Sequence, residues 1–148
     1  MRPSRDNLLM AIAMLVASRG TCDRAQVGAV IAREGRIISI GYNGAPPGLP
    51  HCNTNNHGFG EGWGREPYET GCRNAIHAEA NALAFAARYG VSTADATLYV
   101  TVSPCLTCAM LLVAAGIERV IYAERYRDTA GLNLLADALV PTSKSREG

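Results

Sequence analysis

Three side chains in this 148-residue chain have the types and the spacing to hold a metal ion: His77, and the two cysteines of Pro104-Cys105-Leu106-Thr107-Cys108. One imidazole and two thiolates suit zinc, which takes nitrogen and sulfur donors in tetrahedral sets. Three protein ligands leave a fourth position to water, the arrangement of a catalytic site; a structural zinc closes all four with protein. Glu79 stands two residues beyond His77, placed to reach a water at that open position. Residues 80–103 separate the two halves and leave room for one helix, a loop and one strand. A Cys-x-x-Cys pair alone also suits thiol redox exchange, and a lone histidine on an apolar helix face is commonly packed core. Redox exchange leaves His77 and Glu79 unexplained, and a packed histidine leaves the two thiols unexplained.

The elements that must position these residues are legible from periodicity. Leu8, Leu9, Ile12, Leu15 and Val16 fall on one face of a helix predicted over 5–19, with Gly20 as a left-handed cap. After the short loop Thr21-Cys22-Asp23-Arg24, the β-branched run 27–32, the turn Glu34-Gly35 and the run 36–42 predict a hairpin. Two prolines and two glycines make 43–48 a loop. Residues 49–71 show no period, and a segment of this length is usually functional or pinned by something. A second helix opens at Asn74 or Ala75, runs to about Tyr89 and stops at Gly90. A strand over 96–102, a helix over 105–115 closed by Gly116, a strand over 118–123 and a helix over 131–139 follow. Any last strand is short, with 142–148 expected to fray. This order predicts an α/β fold, a three-layer α/β/α sandwich around a mixed sheet, as one domain over 1–148. Both metal-bearing segments begin helices, whose N-termini favour the thiolate form of Cys105.

Composition narrows the function classes. With 48% hydrophobic and 18% charged residues the chain reads as globular, and it has no apolar run long enough to span a bilayer. Its first six residues include an acid and lead into an amphipathic helix, unlike a signal peptide. A net charge of +1 and a pI near 7.7 announce no basic face, which argues against a nucleic-acid partner. Five cysteines without an export signal suit reduced ligands in a cytoplasmic protein better than disulfides.

His-x-Glu followed by Pro-Cys-x-x-Cys is the signature of zinc nucleobase deaminases. Over nearly all its length the chain resembles deoxycytidylate (dCMP) deaminases. Beside that signature, the resemblance rests on Thr21-Cys22-Asp23-Arg24, Gly41-Tyr42-Asn43-Gly44-Ala45-Pro46, His77-Ala78-Glu79-Ala80-Asn81-Ala82 and Ala96-Thr97-Leu98-Tyr99-Val100-Thr101. It implies a cytidine deaminase-like fold and hydrolytic deamination of dCMP to dUMP with release of ammonia, supplying thymidylate synthesis. It makes His77, Cys105 and Cys108 the zinc ligands and Glu79 the proton carrier. It also implies a homo-oligomer, commonly a hexamer, with dCTP activating and dTTP inhibiting. Arg5 stands where the family usually has an aromatic residue, and the tail beyond Val140 is short for the family's last strand.

Substrate residues are expected at Asn43, in the loop after a strand, and at Arg24 and Arg125, which suit a phosphate, with Tyr126 beside the base or sugar. Three cysteines and two histidines remain outside the catalytic set. Cys22, Cys52 and Cys72 with His57 or His51 would close a second, structural zinc that anchors the irregular segment; free buried thiols are the other reading. Rival functions are deamination of free cytidine or deoxycytidine, of a 5-substituted deoxycytidylate, or of adenosine in transfer RNA, the last disfavoured by the near-neutral charge. A non-catalytic zinc module that binds nucleotides is a further rival, and Glu79 argues against it.

Overall fold

A computed structural model describes residues 1–22, 25–51 and 75–146. Gly28–Arg33 (β1) and Arg36–Tyr42 (β2) form the expected hairpin, turning through Glu34 and Gly35 at positive φ of 53° and 75°. Thr97–Val102 (β3) lies antiparallel to β1, and Arg119–Glu124 (β4) and Thr142–Lys144 (β5) follow in parallel. The sheet order is β2-β1-β3-β4-β5. Four helices stand among the described residues: Arg5–Ala17 (α1), Ala78–Arg88 (α2), Leu106–Ala114 (α3) and Ala130–Asp137 (α4).

The period-two alternation of the central strands divides the core between two faces. Ile31, Leu98, Val100 and Val120 pack with Ala82, Leu112 and Leu135 of the other helices. Val30, Tyr99 and Ile121 pack with Leu9, Met10 and Ala13 of α1. Strands buried on both faces need apolar residues at successive positions, which is why β1, β3 and β4 read as β-branched or aliphatic runs. The result is the three-layer α/β/α architecture predicted from the sequence.

Several local expectations differ. α2 begins at Ala78 rather than at 74 or 75, because Ile76 is held extended: its N–H donates to the Gly44 carbonyl at 2.7 Å and its own carbonyl accepts from Gly44 at 3.1 Å. Gly20 does not take the left-handed conformation. It is small because a Cβ there would stand 2.7 Å from Asn43 Oδ1. Residues 142–144 do not fray: they pair with β4 from Val120 to Tyr122.

Close backbone approach seats the helix that carries His77 and Glu79. A Cβ on Gly41 would run into the Ala78 carbonyl oxygen and the Ala82 nitrogen, so α2 lies directly on β2. Asn81 Nδ2 donates to the Tyr42 carbonyl at 2.9 Å and Ser39 Oγ to the Ala82 carbonyl at 2.7 Å, tying the same two elements. Gly41→Ala is expected to lower stability by about 2 kcal/mol, the scale of overpacking against groups that cannot yield. Urea unfolding of the variant beside the wild type measures this, and equal midpoints would contradict it.

Candidate active site

His77 and Cys105 occupy equivalent places, each the N-cap of its helix. Both are extended, with φ/ψ of −66°/151° and −71°/172°. An N-cap side chain projects over the unpaired N–H groups of the first turn, and Cys105 Sγ accepts from the Cys108 N–H at 3.5 Å. Two helix starts thereby deliver three donor atoms to one point. His77 Nδ1 lies 3.5 Å from Cys105 Sγ and 3.4 Å from Cys108 Sγ, and all three donors fall within 4.8 Å of one another. Zn–N and Zn–S bonds of about 2.05 and 2.3 Å in a tetrahedron set nitrogen and sulfur about 3.5 Å apart. The donor set therefore fits zinc in both chemistry and spacing.

Protonation in this cluster follows from its contacts. Cys105 is lowered to about 4 by the hydrogen bond from the Cys108 thiol, assisted by His77 and opposed by burial. The same shared proton, with burial, pushes the Cys108 thiol up. The hydrogen bond to Cys105 raises His77 against the effect of desolvation. Glu79 sits in the first turn of α2, 4% exposed, and burial raises its carboxyl above the ordinary range.

His77, Glu79 and Cys105 open on a cleft of about 360 Å³. Cys22, Val27, Asn43, Arg125 and Tyr126 line the same cleft. Asn43 is largely buried; its Oδ1 accepts from the Val27 N–H at 2.7 Å and its Nδ2 donates to the Ala25 carbonyl at 2.6 Å. It therefore holds the segment that bears Ala25 and Val27 against the cleft. Of the other expected residues, Arg24, Cys52, His57 and Cys72 lie outside the described residues. Cys22 is buried and His51 exposed.

Two residues of the cleft lining, and one glycine beneath the cysteine turn, have no place in the sequence reading. Arg127 joins Arg125 in the lining and lies 5.6 Å from the Tyr126 ring centre; two arginines directly after a strand were the available signal. Ser103, buried at 3% exposure, is also in the lining. Gly131 had no local signal: a Cβ there would strike the Pro104 carbonyl oxygen and the Cys105 main chain. The start of α4 thus presses on the turn that carries two of the three donors.

The family described as the cytidine and deoxycytidylate deaminase zinc-binding region matches residues 3–124. The chain belongs to this family. A deoxycytidylate deaminase of Mycobacterium phage D29 is 43% identical over 124 residues, 82% of this chain and 95% of that one. The deoxycytidylate deaminase of Saccharomyces cerevisiae is 42% identical over 140 residues, 93% of this chain; the chain spans 44% of that longer relative. Among solved structures, the dCMP deaminase of cyanophage S-TIM5 in complex with dCMP and dUMP superposes with a TM-score of 0.82 at 29% identity, covering 98% of this chain and 99% of that one. No helix among the described residues is long and apolar enough to cross a membrane.

Within this zinc-binding family, Gly131→Ala tests whether α4 positions the ligands. It is expected to weaken zinc affinity about tenfold, the usual effect of disturbing the support behind a metal ligand. Competition against a chromogenic chelator measures it, and unchanged affinity would free Cys105 from this constraint.

Proposed function

We propose that this chain is a deoxycytidylate deaminase, exchanging the 4-amino group of dCMP for oxygen to give dUMP and ammonia. The observation that carries this reading is the His77–Cys105–Cys108 donor triangle beside a buried Glu79, in a cleft that also holds Arg125 and Arg127. The family match and the deoxycytidylate deaminases among its relatives support it.

His77, Cys105 and Cys108 would hold the zinc. Bound there, zinc supplies Lewis acidity, lowering the pKa of a water ligand to about 7. Glu79 takes one proton from the attacking water and delivers it to ring N3, then takes the second from the new C4 hydroxyl and passes it to the departing amine. Its burial suits that exchange, because a carboxyl raised by desolvation accepts a proton more readily than an exposed one. Arg125 and Arg24 answer the phosphate charge, Tyr126 lies against the base or sugar, and Asn43, besides holding the segment at residues 25–27, contacts the sugar or phosphate. The deaminase domain is taken to run over 1–148. A cytoplasmic homo-oligomer, with a hexamer favoured and dCTP and dTTP as effectors, completes the reading on the strength of the family resemblance.

A second, structural zinc on Cys22, Cys52 and Cys72 with His57 or His51 belongs to the same proposal, supported by the ligand types in the sequence. Metal analysis of freshly prepared protein is expected to give two zinc ions per chain; one would remove the structural site.

Separate incubation with dCMP, deoxycytidine and dCTP, followed by cytosine absorbance and ammonia release, tests the substrate. Turnover of dCMP is expected to dominate, and a preference for the nucleoside would overturn the phosphate contacts while keeping the zinc chemistry. Glu79→Gln is expected to retain zinc and lose at least about a hundredfold in kcat, the scale of general acid–base catalysis. Near-normal turnover by that variant would remove Glu79 from its role.

A further inference from the structure

β3 and β4 run in parallel and last pair at Val102 and Glu124. One further main-chain bond follows, from the Ser103 N–H to the Glu124 carbonyl at 2.8 Å. The next residue, Pro104, has no N–H to give, and the chain turns away to place Cys105. At this point a side chain takes over from the ladder: Ser103 Oγ accepts from the Tyr126 N–H at 2.6 Å. That bond joins the turn bearing the zinc ligands to Arg125-Tyr126-Arg127, all three of which line the cleft.

We propose that Ser103 is a positioning residue that fixes the 125–127 turn and so sets the preference of the cleft for a phosphate-bearing nucleotide over the nucleoside. The inference rests on the deoxycytidylate reading above. Arg125 and Arg127 are both exposed, and long exposed side chains lose much rotamer entropy when they clamp an anion. Fixing the main chain beneath them removes part of that loss before substrate arrives. Tyr126 is the anchor, since its N–H is held by Ser103 and its ring lies beneath the Arg127 guanidinium. Ser103 is not among the three metal donors, and its Oγ is engaged by the Tyr126 N–H, so loss of that hydroxyl is expected to act on phosphate recognition ahead of the chemistry.

The test compares wild type, Ser103→Ala and Ser103→Thr with dCMP and with deoxycytidine, and records zinc per chain. Ser103→Ala is expected to raise KM for dCMP roughly five- to tenfold, the scale of one lost hydrogen bond, with kcat little changed. Deoxycytidine kinetics and zinc content should hold within about twofold, again on the scale of less than one hydrogen bond. Ser103→Thr, which keeps the acceptor, should restore the dCMP preference, and dUMP binding by calorimetry should weaken in the alanine variant by the same factor as KM rises. Ser103→Cys, similar in size with a weak acceptor, reads the same ratio if the alanine variant does not fold. An equal fall with both substrates, loss of zinc, or an unchanged preference would overturn the role. A wild-type enzyme with no preference for dCMP would instead overturn the substrate reading beneath it.

Discussion

Three donor atoms must meet at one point although their residues stand 28 and 31 positions apart in the chain. The structure meets this constraint with backbone rather than with long side chains. His77 and Cys105 are the last extended residues before two helices, so fixing the starts of those helices fixes the donors. Gly41 lets α2 lie on β2, the Gly44–Ile76 bridge holds the approach to His77, and Gly131 lets α4 bear on the Cys105 turn. All three are contacts of main chain with main chain, and at Gly41 and Gly131 one methyl group cannot be accommodated without moving the element.

Two carboxyls, Glu79 and Asp6, are driven in opposite directions. Glu79 is enclosed, and desolvation raises it. Burial alone would also raise Asp6, but hydrogen bonds from Tyr99 at 2.7 Å and Arg119 at 2.8 Å outweigh that effect and lower it. Asp6 is therefore a fixed anion that joins α1 to the starts of β3 and β4, whereas Glu79 can change its charge. Environment alone sets two side chains of the same class on opposite sides of their ordinary range.

Much of this was legible in the sequence. The clustered His77, Cys105 and Cys108 donors and the neighbouring Glu79 are legible because they stand at short spacings within single segments. The strands could be found because burial on both faces demands continuous apolar runs. The start of α2 was misplaced because helix propensity continues upstream of Ala78, while the bridge that overrides it comes from Gly44, more than thirty residues earlier. Gly20 was assigned a backbone role when its smallness serves the Asn43 side chain. Ser103 and Gly131 carry no local mark at all: their importance comes from the alignment of β3 with β4 and from the landing point of α4, both tertiary facts. Arg127 lay beside residues already nominated and needed only the turn's geometry to join them.

The order of the strands has a consequence for how the chain holds together. α2 packs on β2 and β1, the antiparallel half of the sheet, while α3 packs chiefly on α4, beside the parallel half. His77 belongs to the first assembly and the two cysteines to the second. A zinc held by all three would therefore be a clasp between two halves of the sheet that β3 joins, lying between β1 and β4. An ion that binds only the completed arrangement shifts the balance toward it. Zinc bound by all three donors would thus also report that the two halves have come together.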